Sequence, residues 1–475
     1  MRKQQKWHLI LTVGLATLLA SLFIACAPPE EAAPPTGDGV APPTQPADTT
    51  PPSAIAGLAA ADAYDGKVNL GWDESTTEDF DHYSIYVSKS EITDATGMAP
   101  VHQIEGITAN SYQATELEAE TTYYFVVTAV DKSSNENTRV ACVSAAPTPM
   151  PRGTVDPDIY VDIYQSDMAW AGTTLLADIH NLERPRIIEV NMLGEIVWEY
   201  QVPQHLGQYT NPGFDVELLS NDNILFVLPR NGVYEIDRDG NIVWSYLDNK
   251  VSHDADRLPN GNTLVVWGGG DGVSDAQVKE IDPEGEIVWA WYAKDHFNES
   301  PYKDIYDEGW THTNAVSRLP NGNTLISPRN FNFVVEVNPQ GSVVRTLGEG
   351  LLYYQHDPVV LPNGNLLSGS HRPPPEFAAS IRSYPALEID LETGEVVWGD
   401  FIWPAELRYG ARDANRLLNC NTLVQVGTRV AELTNDGEIV WQLRLKETIE
   451  KEIHSTKLEH QRRSFYKAER IGIQR

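Results

Sequence analysis

One pentapeptide pattern recurs six times in the last two-thirds of the chain, and it limits what the chain can fold into. It reads Gly194-Glu-Ile-Val-Trp198, Gly240-Asn-Ile-Val-Trp244, Gly285-Glu-Ile-Val-Trp289, Gly341-Ser-Val-Val-Arg345, Gly394-Glu-Val-Val-Trp398 and Gly437-Glu-Ile-Val-Trp441. Before most copies lies an apolar strand ending in Asp or Asn, as in Tyr234-Glu-Ile-Asp237 and Val335-Glu-Val-Asn338. Strand, Asp-x-x-Gly turn, strand is a hairpin. A second turn, Leu-Pro-Asn-Gly-Asn, precedes it at Pro259, Pro320 and Pro362, with worn versions at Ser220-Asn-Asp-Asn and Leu418-Asn-Cys-Asn. Pro suits the first turn corner, and Asn-Gly supplies the positive φ. Four strands per repeat at this period predict β-propeller blades. The fold class is therefore all-β, a six-bladed β-propeller over residues 155–475. Glu447 to Arg463 reads as a charged helix, and Ser464 to Ile471 as a strand returning to close the ring.

A chain of 475 residues exceeds one ordinary domain, and the segments ahead of the propeller differ in kind. Arg2, Lys3 and Lys6 precede an apolar run from Leu9 to Ile24, which ends at Ala25-Cys26. This pattern looks like a lipoprotein signal over residues 1–26, with Cys26 as the lipidated residue; the alternative is an uncleaved membrane anchor. Either places the remainder outside the cytoplasm, tethered to a membrane at the cell surface or in the periplasm. Residues 27–52 are a Pro- and Ala-rich spacer. Residues 53–149 alternate apolar and polar positions, with a core Trp72 and a strict alternation after Leu117. They resemble a fibronectin type III β-sandwich, with Tyr123 as its corner tyrosine. Cys142 is expected to be a buried thiol. The formal net charge of −32 argues against nucleic acid as a partner. An anionic substrate would need a local cluster of Arg and His. Only three Cys occur, too few for a disulfide framework or a Cys-based zinc site.

Equal offsets from the Leu-Pro-Asn-Gly-Asn turn should place side chains at equal depth in the central channel. Five residues before the Leu of each turn stand Phe214 in blade 2, His253 in blade 3, Asn314 in blade 4, His356 in blade 5 and Arg412 in blade 6. Blade 1 is ambiguous, near Tyr164. His312 lies two residues from Asn314. A second ring past the turn holds Arg329 in blade 4, His371 and Arg372 in blade 5, and Gly268 in blade 3, where Trp267-Gly-Gly-Gly-Asp271 would leave room for a ligand. Asp254 and Asp357 are expected to pin backbone or orient imidazoles. The repeat Trp residues are blade packing, and His296, His454 and His460 are incidental. A lone blade-edge His often only bonds a neighbouring turn. Convergence of three His with Asn and Arg favours a site. Such a funnel suits transfer of a small anionic group: Arg and Asn hold its oxygens, one imidazole attacks and another moves a proton. No carboxylate pair for glycoside hydrolysis and no Gly-x-Ser-x-Gly is evident.

His-x-Asn in blade 4, Ser-x-Arg after its turn, Gln-His in blade 5 and the tail Phe465-Tyr-Lys-Ala-Glu-Arg resemble bacterial arylsulfate sulfotransferases over roughly 160 to 471. The resemblance implies transfer of a sulfuryl group from a phenolic sulfate ester to a phenol, without the nucleotide donor PAPS, through a sulfated histidine. It implies His356 as nucleophile, His253 as acid/base near the phenolic oxygen, and His312, Asn314 and Arg329 as binders of sulfuryl oxygens. Arg412 joins them as a substrate-binding residue by its place in the ring. No cofactor and no metal are expected, and the partners are a small aryl sulfate donor and a phenolic acceptor. Two other readings stay open. One is a non-catalytic surface-binding propeller, which suits the spacer and anchor. The other is a metal or quinone enzyme, since three His are able to ligate zinc or copper and Glu392-Thr-Gly-Glu-Val-Val-Trp398 resembles a quinoprotein blade motif.

Overall fold

A computed structural model describes residues 48–64, 66–211, 213–370, 385–408, 410–455 and 464–472. Cys26, His371, Arg372 and His460 lie outside the described residues. No helix among the described residues is long and apolar enough to cross a membrane.

The fibronectin-like segment forms two antiparallel sheets. One holds Ala59–Ala63, Lys67–Gly71 and Ser111–Ala114; the other holds His102–Glu105, Phe80–Ser88, Tyr123–Asp131 and Val143–Ala145. Trp72 is buried between them against Tyr83, at 5.5 Å between ring centroids. The Glu118 amide donates to the Tyr123 hydroxyl at 3.1 Å, the backbone tie that defines a tyrosine corner. Cys142 is half-buried rather than buried, because it lies just before the short last strand instead of on an inward position. A buried Lys67 ammonium donates to the Ala169 carbonyl at 2.9 Å, and Ser111 Oγ to the Leu418 carbonyl at 2.6 Å. These bonds dock the sandwich on the next domain.

That domain comprises six antiparallel sheets in chain order. Each touches its successor, and the last touches the first, so the ring is closed. Blades 2 to 5 each run four strands outward from the axis. Their innermost strands are Val216–Leu218, Ala255–Arg257, Thr313–Arg318 and Gln355–Val360; that of blade 6 is Asp413–Arg416. Blade 1 takes its innermost strand from the C-terminal end: Phe465–Ile471 pairs antiparallel with Thr173–Asp178. This supplies the missing member of the channel ring, Tyr466 and Lys467. Tyr164 is not in the channel. It ends the strand Ile159–Tyr164 on the outer edge of blade 6, paired with Ile439–Leu445. Ring closure therefore uses both ends of the domain, which ties blade 1 to blade 6 twice. The charged tail forms a helix at Glu447–Ser455.

The repeated residues lock blades together as well as packing them. Trp198 Nε1 donates to the Arg238 carbonyl of blade 2 at 2.8 Å and Trp244 to Pro283 of blade 3 at 3.0 Å, while the bond from blade 3 to the Gly341 carbonyl of blade 4, at 3.1 Å, comes from Trp291, two residues past the repeat Trp. Trp441 of blade 6 reaches the Met192 carbonyl of blade 1 at 2.9 Å. The glutamate of each Glu-Ile-Asp motif does the same work by charge. Arg257 pairs with Glu235 at 2.9 Å, Arg318 with Glu280 at 2.6 Å, and Arg416 with Glu388 at 2.5 Å. In each pair the cation comes from the next blade. Trp441→Phe keeps an apolar ring, though a smaller one, and strands a buried carbonyl. It should cost about 1–3 kcal/mol, the penalty for an unsatisfied buried group, read as a lower midpoint in urea unfolding with unchanged slope.

Candidate active site

A cavity of about 630 Å³ opens at one end of the channel, within the range of small-molecule sites. Its lining includes His253, His312, Arg329, His356, Arg412 and Tyr466, with Arg230, Tyr306 and Glu308 also on its walls. Five of the side chains expected at the site thus converge, and Tyr466 is added by the returning strand.

His356 lies on a bulge: the register with Leu366–Ser370 shifts between His356 and Val359, and Asp357 adopts φ +49°. A bulge re-aims a side chain at the cost of local strain. Its Nδ1 sits 3.0 Å from the Tyr354 carbonyl. A carbonyl only accepts, so Nδ1 carries a proton, and in the neutral ring the lone pair is on Nε2.

His253 and His312 meet edge to edge, with 3.3 Å between their Nε2 atoms. His312 Nδ1 is 3.1 Å from the Glu308 carbonyl, which makes Nδ1 the donor and leaves Nε2 as acceptor. Burial and the nearby Arg329 guanidinium push the His312 imidazole down to about 4. Burial, His312 and the cations Arg329, Arg412 and Lys467 hold His253 well below the usual imidazole value. Both rings are neutral near pH 7. Among the described residues, the three imidazoles do not gather ligand nitrogens within 4.8 Å as a trio, an arrangement unlike a three-histidine metal centre.

His312 adopts a left-handed conformation, φ +48°, beside a carboxylate to which sequence reading assigned no role. The buried Asp271 carboxylate accepts the amides of Thr311 and His312 at 3.1 Å each, the Thr311 hydroxyl at 2.8 Å and Gln277 Nε2 at 3.0 Å. Asp271 ends the Trp267-Gly-Gly-Gly-Asp motif. Gly268 does not make room for a ligand: a Cβ there would lie 1.7 Å from the Thr313 carbonyl oxygen. The glycine permits blade 3 to pack against blade 4. Gly269 and Gly270 do border the cavity.

Asn314 is not part of the lining. A second bulge, between Thr313 and Val316, turns it behind the wall, where Nδ2 donates to the Gln355 carbonyl at 2.8 Å. It braces the strand that carries His356 instead of facing the cavity. Arg329 lies 4.8 Å over the Tyr354 ring and donates to the Asp307 carbonyl at 3.2 Å. Arg412 is 5.1 Å over the Tyr466 ring and donates to Ser464 Oγ at 3.2 Å. Burial pushes the Tyr466 phenol up to about 12, so it remains a neutral donor. Three guanidiniums, Arg230, Arg329 and Arg412, line this one cavity on a chain of net charge −32, the local cationic cluster an anionic substrate needs.

Farther along the same inner strands, Lys467 is ringed by carboxylates. Asp357 lies at 2.5 Å, Asp215 at 3.4 Å and Asp254 at 3.8 Å. Asp254 also accepts the Val316 amide at 2.7 Å, the backbone-pinning role its position implied. Lys467 has φ +51° and stands at a register shift of its own.

Residues 194–350 match the family described as Arylsulfotransferase (ASST), and residues 51–141 match the Fibronectin type III domain. No curated protein matches the chain. Among solved structures, it is similar to a protein of unknown function from Bacteroides caccae, at 18% identity over 59% of this chain and 96% of that one, with a TM-score of 0.39. A streptogramin B lyase gives 12% identity over 62% and 89%, with a TM-score of 0.38. Virginiamycin B lyase from Staphylococcus aureus gives 13% over 60% and 84%, also at 0.38. None of these three likenesses bears on function. Over residues 194–350 the propeller is thus similar to the arylsulfotransferase family, and the sandwich ahead of it is similar to the fibronectin type III domain.

Proposed function

We propose that the chain is a PAPS-independent aryl sulfotransferase working by a ping-pong mechanism through a sulfated His356. What supports this reading is His356, whose Nδ1 is tied to the Tyr354 carbonyl, in a cavity shared with two neutral imidazoles and the guanidiniums of Arg329 and Arg412. His356 Nε2 forms a bond to sulfur, and the bond from sulfur to the phenolic oxygen breaks with its electron pair on that oxygen. Arg329 and Arg412 offset the charge on the sulfuryl oxygens. A second phenol then takes the group by the reverse of these steps. The leaving or entering phenol sits on the His253 side, where a proton must be delivered or removed.

The test is incubation with 4-nitrophenyl sulfate, with and without added phenol. Release of 4-nitrophenol accelerated by phenol, with one sulfuryl group on His356 by peptide mass analysis, is the expected result. Turnover only with a nucleotide donor, or a label on another residue, sinks the reading. The lipoprotein signal ending at Cys26 further supports an enzyme anchored outside the cytoplasm. Cys26→Ala should abolish incorporation of a fatty-acid label into the chain; labelling of that variant at wild-type level would refute lipidation at Cys26.

A further inference from the structure

Beside His253 stands a hydroxyl that the mechanism above does not use. Ser252 is buried, and its Oγ lies 2.5 Å from His253 Nδ1. The Gly269 amide donates to the same Oγ at 2.8 Å. That amide occupies one lone pair of the oxygen, which leaves one hydrogen and one lone pair for the imidazole.

Both are needed in turn. At rest, His312 Nε2 is an acceptor, so His253 Nε2 carries the proton between the two rings. His253 Nδ1 is then bare and accepts from the Ser252 hydroxyl. To protonate a leaving phenolate, His253 must become an imidazolium with a proton on both nitrogens. Nδ1–H then requires an acceptor, and Ser252 Oγ, turned about its Cβ–O bond, is the one at hand. After Nε2–H passes to the phenolic oxygen, His253 is neutral with its proton on Nδ1, ready to take a proton from the entering phenol at Nε2. His253 takes one proton from solvent before the first half-reaction and, as the imidazolium left by the entering phenol, returns one to solvent after the second, so the proton count balances over the whole cycle.

We propose that Ser252 is a positioning residue whose hydroxyl, anchored by the Gly269 amide, exchanges donor for acceptor and so lets His253 carry the leaving-group proton. The proposal rests on the sulfotransferase reading above. The Gly269 contact explains why the neighbouring residue is a glycine: a Cβ at 269 would stand 3.1 Å from Ser252 Oγ and 3.4 Å from His253 Cε1. A side chain there would crowd the rotation.

The experiment compares wild type, Ser252→Ala and Ser252→Thr on substituted phenyl sulfates of graded leaving-group acidity. Ser252→Ala should lose about 10²-fold in kcat/KM on the poorest leaving group, the low end of what general acid catalysis supplies. On 4-nitrophenyl sulfate, whose phenolate needs little help, the loss should be much smaller. Ser252→Thr, which keeps the hydroxyl, should restore the wild-type dependence on leaving group. A loss in Ser252→Ala that is equal across the series would overturn the proposal while leaving the sulfotransferase reading intact. A nitrogen-15 NMR titration of His253 gives a readout independent of turnover. Its midpoint should fall in Ser252→Ala, because the charged ring loses its acceptor, and an unchanged midpoint would overturn the proposal. Wild type that transfers no sulfuryl group while the midpoint shifts would support the Ser252–His253 coupling and sink the assigned reaction instead.

Discussion

His356→Ala should abolish sulfuryl transfer, with kcat on 4-nitrophenyl sulfate falling by at least about 10⁴-fold, as when other covalent nucleophiles are removed. Two features make this change specific. The imidazole hydrogen bond given for His356 is to the Tyr354 carbonyl, at the edge of the cavity. The bulged backbone around it is held by Lys467 on Asp357 and by Asn314 on the Gln355 carbonyl. The variant should therefore fold and keep a thermal midpoint close to wild type. It should also fail to accept a sulfuryl label at any histidine. His253→Ala should behave differently: the label on His356 should still form from 4-nitrophenyl sulfate, slowly, because that donor tolerates an unprotonated leaving group. Full turnover by His356→Ala would remove the residue from the chemistry. It would leave an enzyme whose nucleophile is another group on the cavity wall.

What could be read from the chain was whatever a local constraint writes into a few consecutive residues. The Leu-Pro-Asn-Gly-Asn turn needs a left-handed residue at its Gly, and Gly261, Gly322 and Gly364 have φ near +90°. Even the exposed Cys420, which replaces that glycine in blade 6, has φ +67°. Equal offsets from such turns brought His253, His356 and Arg412 to one cavity because consecutive blades share one register. The reading failed where a bulge broke that register. Asn314 counted correctly but turned away, since an extra residue in a strand reverses the side on which the next one projects. Ser252, Asp271 and the Arg–Glu pairs between blades were also missed. Their roles exist only as contacts between segments tens of residues apart, and no local pattern marks a serine as the partner of a ring nitrogen. Blade 1 was ambiguous for the same reason: its inner strand comes from the far end of the sequence.

Lys467→Met should lower stability by about 3–5 kcal/mol near neutral pH, the usual penalty for removing one partner of a buried ion pair. The deficit should grow as pH rises. Burial opposes the charge of Lys467, yet the carboxylates Asp357, Asp215, Asp254 and Asp413 outweigh it and raise the ammonium well above its ordinary value. A raised lysine contributes stability fully below its unfolded value and loses it only above, so in wild type this contribution is constant from pH 5 to 8. Asp357 is the reverse case. Burial works to raise it, but Lys467 and its hydrogen bonds hold it below the usual carboxylate range, so its contribution is present above the unfolded value and fades only in acid. Asp254 and Asp413 are already raised well above that range, chiefly by burial, with neighbouring carboxylates adding to it and Lys467 opposing it. Without the ammonium, every carboxylate in the ring prefers its proton in the folded state. Each unit of pH above the unfolded carboxylate value then costs the fold, and nothing repays it. Urea unfolding of the variant at pH 5 and pH 8 should show the larger deficit at pH 8; an equal deficit at both would mean that Lys467 acts by packing alone. Because Asp357 follows His356 directly, the same variant should also lose transfer activity more steeply than stability as pH rises, through slackening of the bulge that aims the nucleophile.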